Sequence, residues 1–266
     1  MLVNGKLTNQ ISILDRGLQY GDGLFETIAV IAGQLSLWDQ HIQRLQHGCE
    51  RLGIASHSPE QLLAEAVAEI GQQQRCVLKI IITRGAGGRG YLPPEGAHSN
   101  RIIYTSTWPD YPEDAGKKGV KIRICTSRLG NNSTLAQLKH LNRLEQIMAR
   151  SEWSNPAIAE GLMLDYEGRV IEGTMSNLFI HKDGNLSTPD LSRCGVAGVM
   201  RERVMDIAAS SGAPVLVTDL SLENLFDADA LFLTNSLIGV WPVRAIADRE
   251  YDIDTMPPAL AAAIGS

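Results

Sequence analysis

Cysteine is scarce: Cys49, Cys76, Cys125 and Cys194 are the four in 266 residues. They lie far apart with no CxxC pair, so neither a zinc site nor a disulfide framework is expected. Basic residues are outnumbered, 24 Lys plus Arg against 30 Asp plus Glu for a net charge of -6. That balance argues against nucleic-acid binding, whose footprint is a basic patch and a high pI. No run approaches the roughly 20 apolar residues that a membrane-spanning helix needs. The opening MLVNGKLTNQ lacks the charged, apolar and small-residue stages of a signal peptide. Internal repeats and low-complexity tracts are missing too. A soluble cytoplasmic protein with no metal, nucleic-acid or membrane partner is expected. What is present is 44% hydrophobic and 20% charged residues, enough for a sizeable core and incompatible with wholesale disorder. The length suits one large domain or two ordinary ones.

The order of elements reads as α+β in two halves. Phe25 to Leu37 holds two apolar runs around Ala32-Gly33, a hairpin signal. Asp39 is placed to cap a helix with Ile42, Leu45, Cys49 and Leu52 on one face and Gly53 at its end. A second amphipathic helix from Pro59 carries Leu62, Leu63, Ala66, Val67 and Ile70. Val77 to Ile82 and Ile102 to Thr105 read as buried strands. Trp108 to Gly119, with two prolines and two glycines, is the best linker in the chain. It sets the expected boundary between an N-terminal α/β domain, 1–112, and a C-terminal one, 113–266. Beyond it come a strand at Val120 to Cys125, a polar loop, and a helix bearing Leu141, Leu144, Ile147 and Met148. Two hairpins turn at Glu167-Gly168 and Asp183-Gly184. A helix from Gly198 to Ser210 then precedes strands at Val215 to Val217, Ala230 to Leu233 and Val243 to Ile246.

Several residues stand out chemically. Gly85, Gly87 and Gly90 form a GxGxxG string, but Tyr91-Leu92-Pro93-Pro94 follows where a dinucleotide site needs a helix. A loop whose Arg84 and Arg89 suit a carboxylate ligand is the better reading. Of seven lysines, Lys6, Lys117, Lys118 and Lys182 sit in polar turns, and Lys79 and Lys121 lie in or beside strands. Lys139 differs, set among apolar neighbours at the start of a helix in LAQLKHLNRLEQ. Partly removed from water, its amine can serve as nucleophile or base; equally, it can snorkel from the edge of a core. Gly195 and Gly198 in CGVAGVMR precede an amphipathic helix, which makes either a phosphate cup or an ordinary glycine-rich loop. Glu172 and Asn177 begin an apolar strand, where a carboxylate needs a partner: an arginine or a protonated ring nitrogen.

Together these segments resemble the fold-type IV, or class IV aminotransferase, pyridoxal-phosphate enzymes. The resemblance rests on E-G-T-M-S-N-L-F (Glu172 to Phe179), L-S-T and V-A-G-V-M-R in the C-terminal half. In the N-terminal half it rests on D-R-G-L-Q-Y-G-D-G-L-F-E-T (Asp15 to Thr27) and H-I-Q-R-L (His41 to Leu45). It implies a two-domain fold like that of branched-chain and D-amino-acid aminotransferases, with the active site at the domain interface, and a homodimer. Two further stretches, K-H-L-N-R-L-E-Q from Lys139 and R-G-A-G-G-R-G-Y from Arg84, resemble the aminodeoxychorismate-cleaving lyases of the family more than its transaminases.

By that resemblance Lys139 would carry pyridoxal 5'-phosphate covalently and Glu172 would pair with its ring nitrogen. Arg44, the backbone amides of Val199 and Met200, and Ser236 would hold the phosphate. Arg143 falls where transaminases often place a tyrosine beside the cofactor. Thr27 is a candidate proton relay, and Arg89, with Arg84 and Tyr91, would face substrate carboxylates. The implied reaction converts 4-amino-4-deoxychorismate to 4-aminobenzoate and pyruvate, a step of folate biosynthesis. The alternative is a transaminase of branched-chain or D-amino acids, which would share Lys139, Glu172 and Arg44.

Overall fold

The computed structural model describes residues 1–112, 114–254 and 256–264. The chain divides into two units, one of Met1–Pro109 with Leu138–Asn142, the other of Asp110–Gln137 with everything from Arg143 onward. The expected boundary between 112 and 113 abuts Glu113, which lies outside the described residues. The five residues around Lys139, expected with the C-terminal half, belong to the first unit.

In the first unit the elements are β1 (Leu2–Val3), β2 (Lys6–Leu7), α1 (Arg16–Tyr20), β3 (Gly23–Ile31), β4 (Gln34–Leu35), α2 (Trp38–Leu52), α3 (Pro59–Ile70), β5 (Arg75–Thr83) and β6 (Asn100–Ser106). The strands form one antiparallel sheet in the order β2-β1-β6-β5-β3-β4. The β3–β4 hairpin turns at Ala32 and Gly33, both at positive φ, because a two-residue turn that follows strand twist needs left-handed backbone. Side chains alternate along a strand, so Leu24, Ile28 and Val30 of β3 and Leu78, Ile80 and Ile82 of β5 share one face. That face is buried with Ile42, Leu45 and Cys49 of α2 and Leu62 and Ala66 of α3. Each buried leucine, isoleucine or valine among them contributes about 1.5–3 kcal/mol by leaving water.

Two helix expectations are corrected. Asp39 lies in the first turn of α2, whose cap is Leu37 with no side-chain capping bond; its carboxylate serves the helix dipole instead. On α3, capped by Ser58, Leu63 and Val67 face outward while Leu62, Ala66 and Ile70 are buried.

The second unit contains α4 (Ala115–Lys118), β7 (Val120–Leu129), α5 (Leu144–Arg150), β8 (Ile158–Asp165), β9 (Val170–Gly173), β10 (Asn177–Lys182), β11 (Asn185–Pro189), α6 (Val199–Ser210), β12 (Leu216–Thr218), α7 (Leu222–Asp227), β13 (Ala230–Asn235), β14 (Gly239–Ile246), β15 (Arg249–Glu250) and α8 (Pro258–Ile264). Its sheet runs β12-β11-β10-β13-β14-β7-β8-β9, with β15 on β14. Parallel pairs at β14–β7 and β7–β8 sit among antiparallel hairpins, the mixed pattern of an α+β unit. The Asp183-Gly184 turn has both residues at positive φ.

The helix expected to begin at Lys139 begins at Leu144. Upstream of it the backbone bonds go to β3 rather than to the next turn. The apolar stripe read on that helix also faces outward: Leu144 is 74% exposed, Ile147 56% and Met148 63%, whereas Gln146 and Ala149 are buried.

Candidate functional site

In the first unit, Lys139 is held by its backbone. Its carbonyl accepts from Phe25 N at 3.0 Å, Leu141 N donates to Gly23 O at 2.9 Å, and His140 bridges Leu24. This short antiparallel stretch needs glycine at position 23. A Cβ there would lie 2.4 Å from Ile82 O and 2.8 Å from Leu141 Cδ1. So placed, the half-buried Lys139 puts its ammonium 4.4 Å from the Phe25 ring centroid.

One residue along, alternation turns Glu26 into the core. Fully buried, it needs a cation, and Arg44 of α2 supplies a bidentate one: Nε donates to Oε1 at 2.8 Å and Nη2 to Oε2 at 2.5 Å. His41 Nδ1 adds a hydrogen bond to Oε2 at 2.6 Å. Burial alone would raise the Glu26 pKa, but the charge and hydrogen bonds of Arg44, with those of His41, outweigh it and hold the carboxyl at about 2. Burial pushes His41 below its usual range; Glu26 opposes that, and the positive charges of Arg44 and Lys139 add to it. Arg44 thus presents a pinned guanidinium. Glu26 and His41 lie inside the matched motifs, yet the sequence reading assigned them no role. The period-2 pattern of β3 was the available signal, since it buries a carboxylate.

The glycine loop is pinned as well, and the structure puts Arg84 to another use than a substrate contact. Its Nε and Nη2 donate to Asp22, and Nη1 and Nη2 also donate to the carbonyls of Gly53 and Leu52, at 2.7–3.0 Å. Arg16 ties the loop down through the carbonyls of Gly90 and Tyr91. Arg89 and Tyr91 are exposed, the Tyr91 ring edge-on to Tyr20 at 5.7 Å. No helix follows Gly90, so the dinucleotide reading fails as expected. Thr27 is half-buried on the face of β3 opposite Glu26, in register with Lys79.

In the second unit, β9 carries Glu172 into a buried position. Its Oε2 accepts from Val196 N at 2.8 Å, and Gln146 Nε2 lies 3.4 Å from Oε1. Its charge also favours the charged form of Arg143, which burial pulls below the usual arginine range. The partners of Glu172 thus include a backbone amide and a glutamine, which sequence alone did not indicate. Asn177 opens β10 and donates from Nδ2 to Val196 O at 2.9 Å. Its Oδ1 fills the space under Gly198, where a Cβ would come within 2.0 Å. Gly198 starts α6 with no side-chain capping bond, leaving Val199 and Met200 as the first amides of a twelve-residue helix. Ser236 is half-buried in the turn after β13. Its neighbour Asn235 accepts from Leu237 N and Ile238 N, and donates to Met175 O at 3.0 Å. The structure therefore groups Lys139 with Arg44 in one unit, and Glu172, Arg143 and the α6 start in the other.

Comparison with known proteins places these features. Residues 23–246 match the profile of amino-transferase class IV. The chain is 38% identical over 252 residues to an aminodeoxychorismate lyase of Vibrio harveyi, covering 95% of this chain and 93% of that protein. A solved 4-amino-4-deoxychorismate lyase from Pseudomonas aeruginosa superposes with a TM-score of 0.93 at 46% identity, over 98% of this chain and 96% of the other. A branched-chain amino acid aminotransferase of T.th., solved with pyridoxamine 5'-phosphate, superposes with a TM-score of 0.82 at 25% identity, over 96% and 87%.

Proposed function

We infer, from the premise that the chain belongs to the class IV amino-transferase family, that it is an aminodeoxychorismate lyase dependent on pyridoxal 5'-phosphate. The nearly full-length likeness to two lyases carries this reading. The reaction converts 4-amino-4-deoxychorismate to 4-aminobenzoate and pyruvate, and loss of the three-carbon arm makes the ring aromatic.

The chain's own residues fit the cofactor. The start of α6 is a cradle that a Cβ at Gly198 would fill, with uncapped amides for an anion. The buried Glu172 carboxylate suits a ring nitrogen that must stay protonated. When bound, pyridoxal phosphate supplies an electron sink for bond breaking next to the substrate amine.

We propose that Lys139 carries the cofactor and that its freed amine takes the proton from C4 of the substrate. Glu172 keeps a proton at the ring nitrogen. Arg44, held in one orientation by Glu26, pairs with the phosphate alongside Val199, Met200 and Ser236. Arg143 is assigned beside the cofactor, and Thr27 to proton relay. Arg89 and Tyr91, at the exposed glycine loop, are assigned to substrate carboxylates. Arg84 is assigned to holding that loop in place. A cytoplasmic homodimer is proposed as the working form, supported by the uncovered Leu144, Ile147 and Met148 of α5; sedimentation of the purified chain tests it.

The deciding experiment supplies 4-amino-4-deoxychorismate alone. The lyase releases pyruvate and 4-aminobenzoate in equal amounts with no 2-oxo acid added. Turnover that requires both an amino donor and a 2-oxo acid would establish the transaminase instead.

A further inference from the structure

On the face of the first unit's sheet opposite α2 and α3, Thr27, Lys79 and Tyr104 are register partners across β3, β5 and β6, so their side chains form one row. Phe25 stands two residues from Thr27 on the same face. The Lys79 ammonium lies 4.4 Å from the Phe25 ring centroid, as does that of Lys139. The two nitrogens are therefore no further apart than twice that distance.

Lys79 lacks the ion pair that several buried and half-buried arginines have. Arg16 and Arg84 share Asp22, Arg44 has Glu26, Arg101 has Glu65 and Arg123 has Glu152. Among the described residues no carboxylate or carbonyl accepts from Lys79, whose ammonium lies over the Phe25 ring. Burial pushes its pKa below the usual lysine range. An ammonium on a central strand, partly stripped of water and without a counter-ion, is an unfavourable arrangement that a bound anion would relieve.

Resting on the lyase reading, we propose that Lys79 is a substrate-binding residue that pairs with the ring carboxylate of 4-amino-4-deoxychorismate. The substrate amine comes to the Lys139 nitrogen, and the ring carboxylate sits at the opposite end of a six-membered ring. Its separation from the amine is therefore fixed, whereas the carboxylate of the enolpyruvyl arm swings. A cation on a strand beside the same phenyl ring as Lys139 suits a group whose distance from the amine does not vary. The arm carboxylate is left to the exposed loop of Arg89.

The test compares the cofactor-loaded wild type with Lys79→Met, which keeps the length and packing of the chain, and Lys79→Arg, which keeps the charge. Melting temperature and the borohydride-reducible cofactor on Lys139 are expected to be unchanged in all three. In Lys79→Met, KM for the substrate should rise on the order of 10- to 100-fold, and affinity for 4-aminobenzoate should fall by a similar factor. Affinity for aniline, which lacks the carboxylate, should not move, and Lys79→Arg should recover part of the loss. Unchanged KM and 4-aminobenzoate affinity in Lys79→Met would overturn the assignment. So would a shift in the pH midpoint of the cofactor's absorbance with KM unmoved, which would make Lys79 a neighbour that tunes Lys139 through its charge. A wild type that makes no 4-aminobenzoate would overturn the lyase reading itself, and this assignment with it.

Discussion

Replacing Glu26 by Gln removes the carboxylate from the Glu26–Arg44–His41 cluster while keeping nearly its shape. In the folded chain the Glu26 pKa falls from its ordinary 4.5 to about 2, and each unit is worth about 1.4 kcal/mol. The carboxylate therefore contributes on the order of 3 kcal/mol near neutral pH, in line with the roughly 3–5 kcal/mol lost when one partner of a buried ion pair is removed. Because the folded pKa is depressed, this contribution is fully present above pH 4.5 and is lost as pH falls towards 2. His41 acts in the same direction at a higher pH. Its folded pKa is also depressed, so it adds stability above its ordinary 6.5 that declines as pH drops below that value. Urea denaturation of wild type and Glu26→Gln from pH 7 to pH 3 measures the difference. The expected gap is about 3 kcal/mol at pH 7, roughly 6–12 °C in melting temperature, narrowing as the wild-type carboxylate protonates. A gap that stays constant across this range, or no gap at pH 7, would refute the claim that the buried carboxylate is ionised and stabilising.

Lys139→Ala should lose the near-visible absorption of bound cofactor, leave nothing for borohydride to fix to the chain, and abolish turnover. Fixation to another lysine would refute the assignment. Glu172→Gln should retain the cofactor but slow turnover per folded molecule; normal turnover with only a lower melting temperature would return Glu172 to a structural part. Gly198→Ala drives a Cβ to within 2.0 Å of Asn177 Oδ1. Overpacking of this kind costs about 1–3 kcal/mol, and cofactor affinity read by equilibrium dialysis should fall as well. Gly198→Ala combined with Asn177→Gly should restore stability if the clash is the cause.

Much of the architecture was legible because local rules agreed. The positive-φ turns at Ala32-Gly33 and Asp183-Gly184, the Gly53 stop of α2 and the Pro59 start of α3 are chemistry contained within a few residues. The segment around Lys139 was misread because its partners are Gly23 to Phe25, and a helical spacing of leucines carries no information about a distant strand. The outward stripe of α5 has a related origin. Spacing identifies an apolar face, but only tertiary packing decides that Gln146 and Ala149 turn inward. At the proposed site, the motifs point to Arg44 and Glu172 but not to what holds them. Glu26 was decipherable from strand alternation. Gln146 and the Val196 amide were not, since neither residue type declares a carboxylate partner in advance. The partners of Arg84 are not legible, because an arginine in a glycine loop looks alike from sequence whether its donors face a ligand or the carbonyls of Leu52 and Gly53.

The insertion of Leu138–Asn142 into the first unit also governs the order in which the protein can be completed. As the chain leaves the ribosome, residues 1–109 emerge with the helices, the sheet and most of the core of that unit, so collapse can begin early. The edge of β3 at Gly23 to Phe25 still lacks its antiparallel neighbour, and the core still lacks Leu138. Both arrive only after the intervening stretch of the second unit has been made, so closure of this pairing is a long loop closure and a slow one. A fragment ending at Pro109 would carry an unsatisfied strand edge open to pairing with other chains. The residue proposed for the chemistry thus rides on the last segment needed to finish a unit begun at the N-terminus.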